Sequence, residues 1–321
     1  MKSIVELRSI IEREILGLKY PNSPENLYEP IKYILSLGGK RIRPILFLLA
    51  HQIFNKDLSK AIKPSLAIEV FHNFTLLHDD IMDKAPLRRG CDTVHNKWNE
   101  SIAILSGDAM LIQSYQYLSE LPQKKLTQCL KIFNNTAIKV CEGQQYDMDF
   151  ETQTEVNMFS YLKMIEYKTA VLLGAALKMG AIIGGSNEKQ AAALYEFGRN
   201  IGIAFQLKDD LLDVFGNKNS FGKQIGGDII SRKKTCLYLM SLSLSKDEQI
   251  RELVNLYSSD SINDIERVER IKSIYSSLNI KEHIDNLIDN YYTKAMDSLS
   301  IIDGELSELE LFASILKTRE K

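Results

Sequence analysis

Asp79, Asp80 and Asp83 form the run HDDIMD, and 130 residues later Asp209, Asp210 and Asp213 repeat it as KDDLLD. Each run lies in an apolar stretch, FTLLHDDIMD and IAFQLKDDLLDVF, whose spacing predicts a buried or half-buried helix. On a helix of about 3.6 residues per turn, positions i and i+4 share a face. Asp79 then stacks above Asp83 and Asp209 above Asp213, while Asp80 and Asp210 point about 100° aside. An ionised carboxylate leaves water only at a cost of several kcal/mol, unless a cation meets it. Aspartate is also a mediocre helix former. The chain must therefore fold so that cations reach both helices, and a hard divalent metal is the natural candidate.

The rest of the pattern is helical. Apolar residues recur at three- and four-residue spacing over residues 4–16, 31–37, 45–54, 66–82, 102–118, 126–149, 161–183, 191–214 and 237–244, then in several helices after residue 250. The prolines, Pro21, Pro24, Pro30, Pro44, Pro64, Pro86 and Pro122, are expected between these blocks, at helix starts and boundaries. No strand alternation or hairpin turn is predicted, and no low-complexity linker divides the chain. A single all-α domain over residues 1–321, a helical bundle, is the economical expectation. Beyond residue 245 the helices are charged, carry no motif, and are expected to complete the outer layer.

Composition bounds the function. With 45% hydrophobic residues the chain has ample material for a core. A net charge of −2, from 40 basic and 42 acidic residues, predicts neither a nucleic-acid binder nor a polybasic membrane anchor. Cys91, Cys129, Cys141 and Cys236 have no metal or redox spacing and read as reduced thiols of a cytoplasmic protein. The N-terminus, MKSIVELRSIIEREIL, carries acids, unlike a secretory signal. The longest apolar stretch, residues 170–185, contains Lys178 and falls short of the roughly 20 residues that span a bilayer.

Basic groups accompany the acidic ones. LGGKRIRP supplies Lys40, Arg41 and Arg43, and APLRRG supplies Arg88 and Arg89. Lys168 and Thr169 lie in an otherwise apolar helix, and a glycine-rich loop with SRKKT brings Lys223, Lys233 and Lys234. Carboxylates with many cations form the inventory for binding a polyphosphate through bridging metal. Each element alone has an ordinary explanation: a solvated acidic turn, a basic surface loop, a snorkelling lysine, a packing histidine at His72 or His78. Together those explanations require two buried acidic repeats and several basic clusters to coincide by chance.

The order GGKRIRP, LLHDDIMD with RRG after it, GQQYD, YKTA, QLKDDLLD and KKT closely resembles the trans-isoprenyl diphosphate synthases, or polyprenyl synthetases, over residues 32–242. The resemblance implies an isoprenoid synthase bundle with a large central cavity. It also implies a homodimer and Mg²⁺-dependent condensation of isopentenyl diphosphate with an allylic diphosphate. By the same resemblance Asp79, Asp83, Asp209 and Asp213 are the metal ligands, with Asp210 supporting, and three Mg²⁺ ions bridge the allylic diphosphate. The two runs are then opposing halves of one metal–diphosphate site. Arg88, Lys168, Lys223 and Lys233 match the residues contacting that diphosphate. Arg232 stands where the family's GKxT-like segment has glycine, which leaves the register of the following lysines open. Lys40, Arg43, His72 and Arg89 match the isopentenyl diphosphate site. Lys168, Thr169 and Gln206 match the groups facing the reacting carbons, and the loop over residues 216–227 is expected to act as a lid that excludes water.

Product length is expected to be set upstream of Asp79. Phe74 lies about 7–8 Å up the helix axis and Phe71 about 12 Å, with the smaller Thr75 four residues before Asp79. Synthases resembling this chain with aromatics at both the fourth and fifth positions tend to stop at C15. An aromatic at the fifth position alone resembles the C20 pattern, so geranylgeranyl diphosphate is the expected product and farnesyl diphosphate the alternative. A class I terpene cyclase shares the first motif but mixes Asn, Ser or Thr with Glu at its second metal site, whereas this chain repeats DDLLD. Head-to-head synthases typically lack GGKRIRP. A silent partner subunit tends to lose motif aspartates, and all six are present.

Overall fold

The computed structural model describes residues 1–216 and 226–319. It is helical almost throughout, as the periodicity predicts, and the described chain divides into two compact units. The first unit comprises Met1–Asn135, Leu172–Tyr195 and Ile301–Leu309. The second comprises Thr136–Val171, Glu196–Ser300 and the C-terminal segment from Glu310.

In the first unit, α1 (Ile4–Leu16) opens on a capping box, with Ser3 and Glu6 each satisfying the other's backbone N–H. Helix α2 (Glu25–Ser36) starts well before the predicted block and contains the buried Pro30 in its interior. That corrects the expectation that every proline marks a boundary. Burial of the ring on the apolar face of α2 compensates for the backbone hydrogen bond that proline cannot donate. Helix α3 (Ile42–Phe54) is apolar nearly all round, as a central core helix must be. Helix α4 (Ile62–Met82) carries the first acidic run at its C-terminal end.

The chain then makes a small hairpin that the sequence pattern did not predict: β1 (Leu87–Arg88) pairs antiparallel with β2 (Cys91–Asp92). Arg89 and Gly90 form its turn, both at positive φ, the conformation that a two-residue hairpin needs to match strand twist. The run is too short for alternation to show. A short α5 (Val94–Lys97) leads into α6 (Glu100–Ser119), which packs along α4.

In the second unit, α7 (Gln123–Thr152) contributes its C-terminal half. Helix α8 (Met158–Ile165) passes through a π-helical turn, Glu166–Ala170, before α9 (Val171–Gly184), which from Leu172 onward belongs to the first unit. This helical stretch, Met158–Gly184, is longer than the apolar run suggested and apolar enough to cross a membrane, but 72% of its most apolar window is buried within the protein. It is a core helix. Helix α10 (Glu188–Phe215) carries the second acidic run.

The helices after residue 245 do more than form an outer layer. Leu253, Leu256, Ile271, Tyr275 and Ile284 join Leu207, Leu211 and Leu237 in the core of the second unit. Inside that core the Tyr257 and Tyr275 hydroxyls pair at 2.9 Å. The amphipathic pattern hid this because charged residues cover only the outer faces of these helices.

Candidate active site

Asp79 and Asp83 lie one turn apart at the end of α4, where the Asp83 backbone N–H donates to the Asp79 carbonyl at 2.9 Å. Asp79 is half-buried and Asp83, just past the last helical residue, is exposed. Asp80 turns inward and is 2% exposed. Arg88 reaches it from β1, its Nε 2.8 and 2.7 Å from the two carboxylate oxygens and Nη2 3.5 Å from Asp79. Burial pushes the Asp80 carboxyl above its ordinary value, and the Arg88 hydrogen bond opposes that. The hairpin therefore anchors the first run through its middle aspartate.

The same unit gathers the predicted isopentenyl diphosphate residues. Arg43 Nη1 lies 3.0 Å from His72 Nε2, so the ring nitrogen accepts and the imidazole is neutral. Burial and the surrounding Arg43, Arg89, Arg88 and Arg41 hold His72 well below its ordinary value. Arg43 itself is drawn down to about 10, chiefly by burial. Its Nε is buried with no hydrogen-bond partner among the described residues, a donor suited to an anion.

Gly38 and Gly39 have positive φ, and a β-carbon at Gly39 would collide with the Arg89 guanidinium, 2.7 Å away. Arg89 also donates to the Gly38 carbonyl. The missing side chain of Gly39 leaves the space that the Arg89 guanidinium occupies. Arg41 has a different job: it is 3% exposed and pairs with Glu69 at 2.8 Å and Glu12 at 3.1 Å. Lys40 is exposed.

Upstream on α4, Phe74 is half-buried and Phe71 fully buried behind it, with ring centroids 5.6 Å apart. Phe133 of α7 lies 5.0 Å beyond Phe71, and Tyr115 of α6 another 5.1 Å on. Thr75 is half-buried and donates to the His72 carbonyl. His78 is a packing residue, its ring 4.8 Å from Phe74 and its Nε2 3.2 Å from the Ile104 carbonyl.

In the second unit, Lys168 and Thr169 sit on the π-helical turn, a geometry that recurs at functional positions because it re-aims side chains out of the regular helix. The GQQYD motif of α7 explains how the turn is held. At Gly143 a β-carbon would collide with the Lys168 backbone, so only glycine lets α7 approach that closely. One turn on, Asp147 accepts from Lys168 Nζ at 2.6 Å. Thr169 Oγ1 faces Gln206 Oε1 of α10 at 3.5 Å.

The second run is anchored differently. Asp210 is 4% exposed and accepts from the Tyr161 hydroxyl, from Cys236 Sγ at 3.4 Å and from Gln206 Nε2 at 3.2 Å. Burial pushes its carboxyl up, opposed by these donors. Asp213 Oδ2 accepts from the Asp228 N–H at 3.0 Å, in the short helix Gly227–Ile230. Asp209 forms an ion pair with Arg319, whose guanidinium lies 4.5 Å from the centre of the Phe205 ring.

Arg232 adopts a φ of 56°, the left-handed conformation natural to the glycine that it replaces. Lys234 Nζ caps the end of α7, donating to the Phe150 carbonyl at 2.9 Å and to Gln153. Lys223 and most of the predicted lid lie outside the described residues.

This inventory can be set beside known proteins. Residues 24–278 match the polyprenyl synthetase family. The chain belongs to that family. It is 42% identical over 218 residues to the geranylgeranyl diphosphate synthase of Methanosarcina mazei, covering 67% of each chain. It is 35% identical over 285 residues to that of Sulfolobus acidocaldarius, covering 87% of this chain and 85% of the relative. A crystal structure of a geranylgeranyl pyrophosphate synthase superposes over 100% of both chains with a TM-score of 0.94 at 40% identity. The fold is accordingly the all-α isoprenoid synthase fold, and the protein is a prenyltransferase.

In this polyprenyl synthetase the motifs mark candidate site residues but not the groups that hold them in place. Asp147 was visible inside GQQYD without a role. Tyr161 and Cys236 carried no signal at all, because a buried tyrosine and a buried cysteine look like ordinary core.

Proposed function

We propose that this polyprenyl synthetase joins isopentenyl diphosphate head-to-tail to allylic diphosphates and releases geranylgeranyl diphosphate. The full set of motif residues supports the reaction, and the observation that carries the chain length is Phe74. It is half-buried above Asp79 with the small Thr75 beside it and Phe71 behind. A ring at that place stops a C20 tail.

Mg²⁺ fits the donor set. Asp79 with Asp83, and Asp209 with Asp213, offer hard oxygens, and Asp209 already takes a cation in Arg319. An ion held there by one or two carboxylates would take phosphate oxygens and water to complete its shell. Mg²⁺ held by these carboxylates, three ions by the family resemblance, would supply positive charge that offsets the charge on the leaving diphosphate.

The chain's own residues do the rest. Arg88, Lys168, Lys223 and Lys233 neutralise the allylic diphosphate, while Lys40, Arg43, His72 and Arg89 bind the isopentenyl head group. By its place in KKT, which resembles the family's GKxT-like segment, Lys233 is the lysine assigned to phosphate. Thr169 Oγ1, Gln206 Oε1 and the Lys168 carbonyl present oxygen dipoles to the allylic carbocation. The isopentenyl double bond attacks that cation, and the proton lost in forming the new alkene passes to the departing diphosphate.

The 321 residues are read as one catalytic domain working in a homodimer. Ile104, Leu105, Ile112 and Tyr115 leave an apolar face exposed on α6, which a second copy would cover. The four free cysteines fit a cytoplasmic setting.

The test is product analysis with isopentenyl diphosphate, Mg²⁺ and C5, C10 or C15 primers. Geranylgeranyl diphosphate is expected from each. A C15 end product would favour farnesyl diphosphate synthase, and a cyclic hydrocarbon or no elongation would refute the reading. Phe74→Ala should lengthen the products, and an unchanged distribution would remove Phe74 as the floor.

A further inference from the structure

Asp210 has no task in the reaction just described, yet it is buried, and its hydrogen-bond partners among the described residues are donors. The Tyr161 hydroxyl and Cys236 Sγ both address Oδ2, and the Cys236 backbone N–H at the start of the helix Cys236–Leu244 also donates to this carboxylate. Gln206 Nε2 reaches Oδ1 from one turn earlier on α10. Burial holds the Tyr161 hydroxyl and Cys236 thiol well above their ordinary values, so both stay protonated donors at neutral pH.

A carboxylate surrounded in this way only accepts. It therefore dictates which end of the Gln206 amide faces it, namely the nitrogen. The amide oxygen is left pointing the other way, 3.5 Å from Thr169 Oγ1. Turned over, the amide would bury its oxygen against a carboxylate oxygen and present N–H groups toward Thr169. Oxygen attracts a carbocation and N–H repels it, so the orientation of one amide carries chemical consequence.

We propose that Tyr161 and Cys236 are positioning residues of the condensation: through Asp210 they hold the Gln206 amide with its oxygen toward Thr169 and the developing allylic cation. This rests on the prenyl-transfer reading above. Neither residue touches substrate, and both act by fixing Asp210.

The test is a double-mutant cycle in the full-length protein with Mg²⁺, isopentenyl diphosphate and farnesyl diphosphate. Tyr161→Phe should lower kcat about tenfold while KM for both diphosphates stays within about twofold, the pattern of an interaction made only in the transition state. Cys236→Ala should lower kcat about threefold, and Cys236→Ser, which keeps a donor, should restore it. In a Gln206→Ala background Tyr161→Phe should cost nothing further, because the group it orients is gone.

Calorimetry supplies a readout without turnover. Tyr161→Phe should weaken binding of an ammonium mimic of the allylic cation, with inorganic diphosphate and Mg²⁺, about tenfold, and leave farnesyl thiodiphosphate binding unchanged. Equal losses in both backgrounds, a rise in KM at constant kcat, or wild-type kinetics in Tyr161→Phe would each overturn the proposal. Should Tyr161→Phe fail to fold, equal kcat for Cys236→Ala and Cys236→Ser overturns it instead. A wild-type protein that makes no prenyl product would refute the functional reading itself, and this inference with it.

Discussion

Asp80 and Asp210 occupy the same place in their runs, and both are buried, 2% and 4% exposed. Their partners differ in kind. Asp80 is held by a charge, the Arg88 guanidinium carried on a hairpin next in sequence. Asp210 is held by neutral donors, Tyr161, Cys236 and Gln206, brought from α8, from the helix Cys236–Leu244 and from α10 itself. In both runs the middle aspartate is an anchor, and the i, i+4 pair around it is turned the other way. A DDxxD run is thus read as two devices on one helix: a structural carboxylate, and a face of two that we propose for metal.

The outer and middle positions should separate most widely in turnover. Asp79→Ala and Asp209→Ala should each lower kcat roughly a thousandfold with the helical circular dichroism intact. If either variant stays fully active, the assignment of outer aspartates to metal is wrong.

Stability should then divide the two anchors. Asp80→Asn strands Arg88 and should cost about 2–3 kcal/mol in urea unfolding, and Arg88→Met should relieve most of that loss. Asp210→Asn turns an amide N–H onto donors and should cost about 1–3 kcal/mol, with no relief from Arg88→Met. Equal relief at both anchors would erase the distinction.

Proton linkage sharpens it further. His72, depressed in the folded state by burial and by Arg43, Arg89, Arg88 and Arg41 around it, contributes stability that is present above about pH 6.5 and is lost as pH falls. The unfolded chain takes up a proton there that the folded protein refuses. Stability should fall by up to about 1.4 kcal/mol per pH unit below pH 6.5, and His72→Gln should flatten that slope. A slope unchanged in the variant would place the acid sensitivity elsewhere.

The smallest effect concerns Arg319, which pairs with Asp209. Arg319→Ala frees that carboxylate of a competing cation, so half-saturating Mg²⁺ should fall about two- to threefold at constant kcat. A rise would mean that Arg319 helps to hold the metal–diphosphate rather than competing with the metal.

Much of this was legible in the residues. Helical periodicity located the long helices up to residue 244, since an apolar stripe at 3.6 spacing must face a core, and gave those beyond residue 250 only without bounds. The motif residues were legible because charge in apolar surroundings demands a partner. What stayed hidden had physical reasons. The Arg89–Gly90 hairpin is too short for a strand pattern. The π-turn under Lys168 has the same composition as the α-helix around it. Gly143 signals only that some backbone comes close, and Tyr161 and Cys236 meet Asp210 across 49 and 26 residues of chain.

The central claim, that outer aspartates take metal while middle ones anchor, is tested most directly by calorimetry with a non-ionising allylic thiodiphosphate, in the presence and absence of Mg²⁺. The account predicts that Asp79→Ala and Asp209→Ala abolish the Mg²⁺-dependent part of binding, while Asp80→Asn and Asp210→Asn, compared at temperatures where they remain folded, retain it within a few-fold. Mg²⁺-dependent binding that survives in both outer variants, or that is lost only in the middle ones, would contradict it.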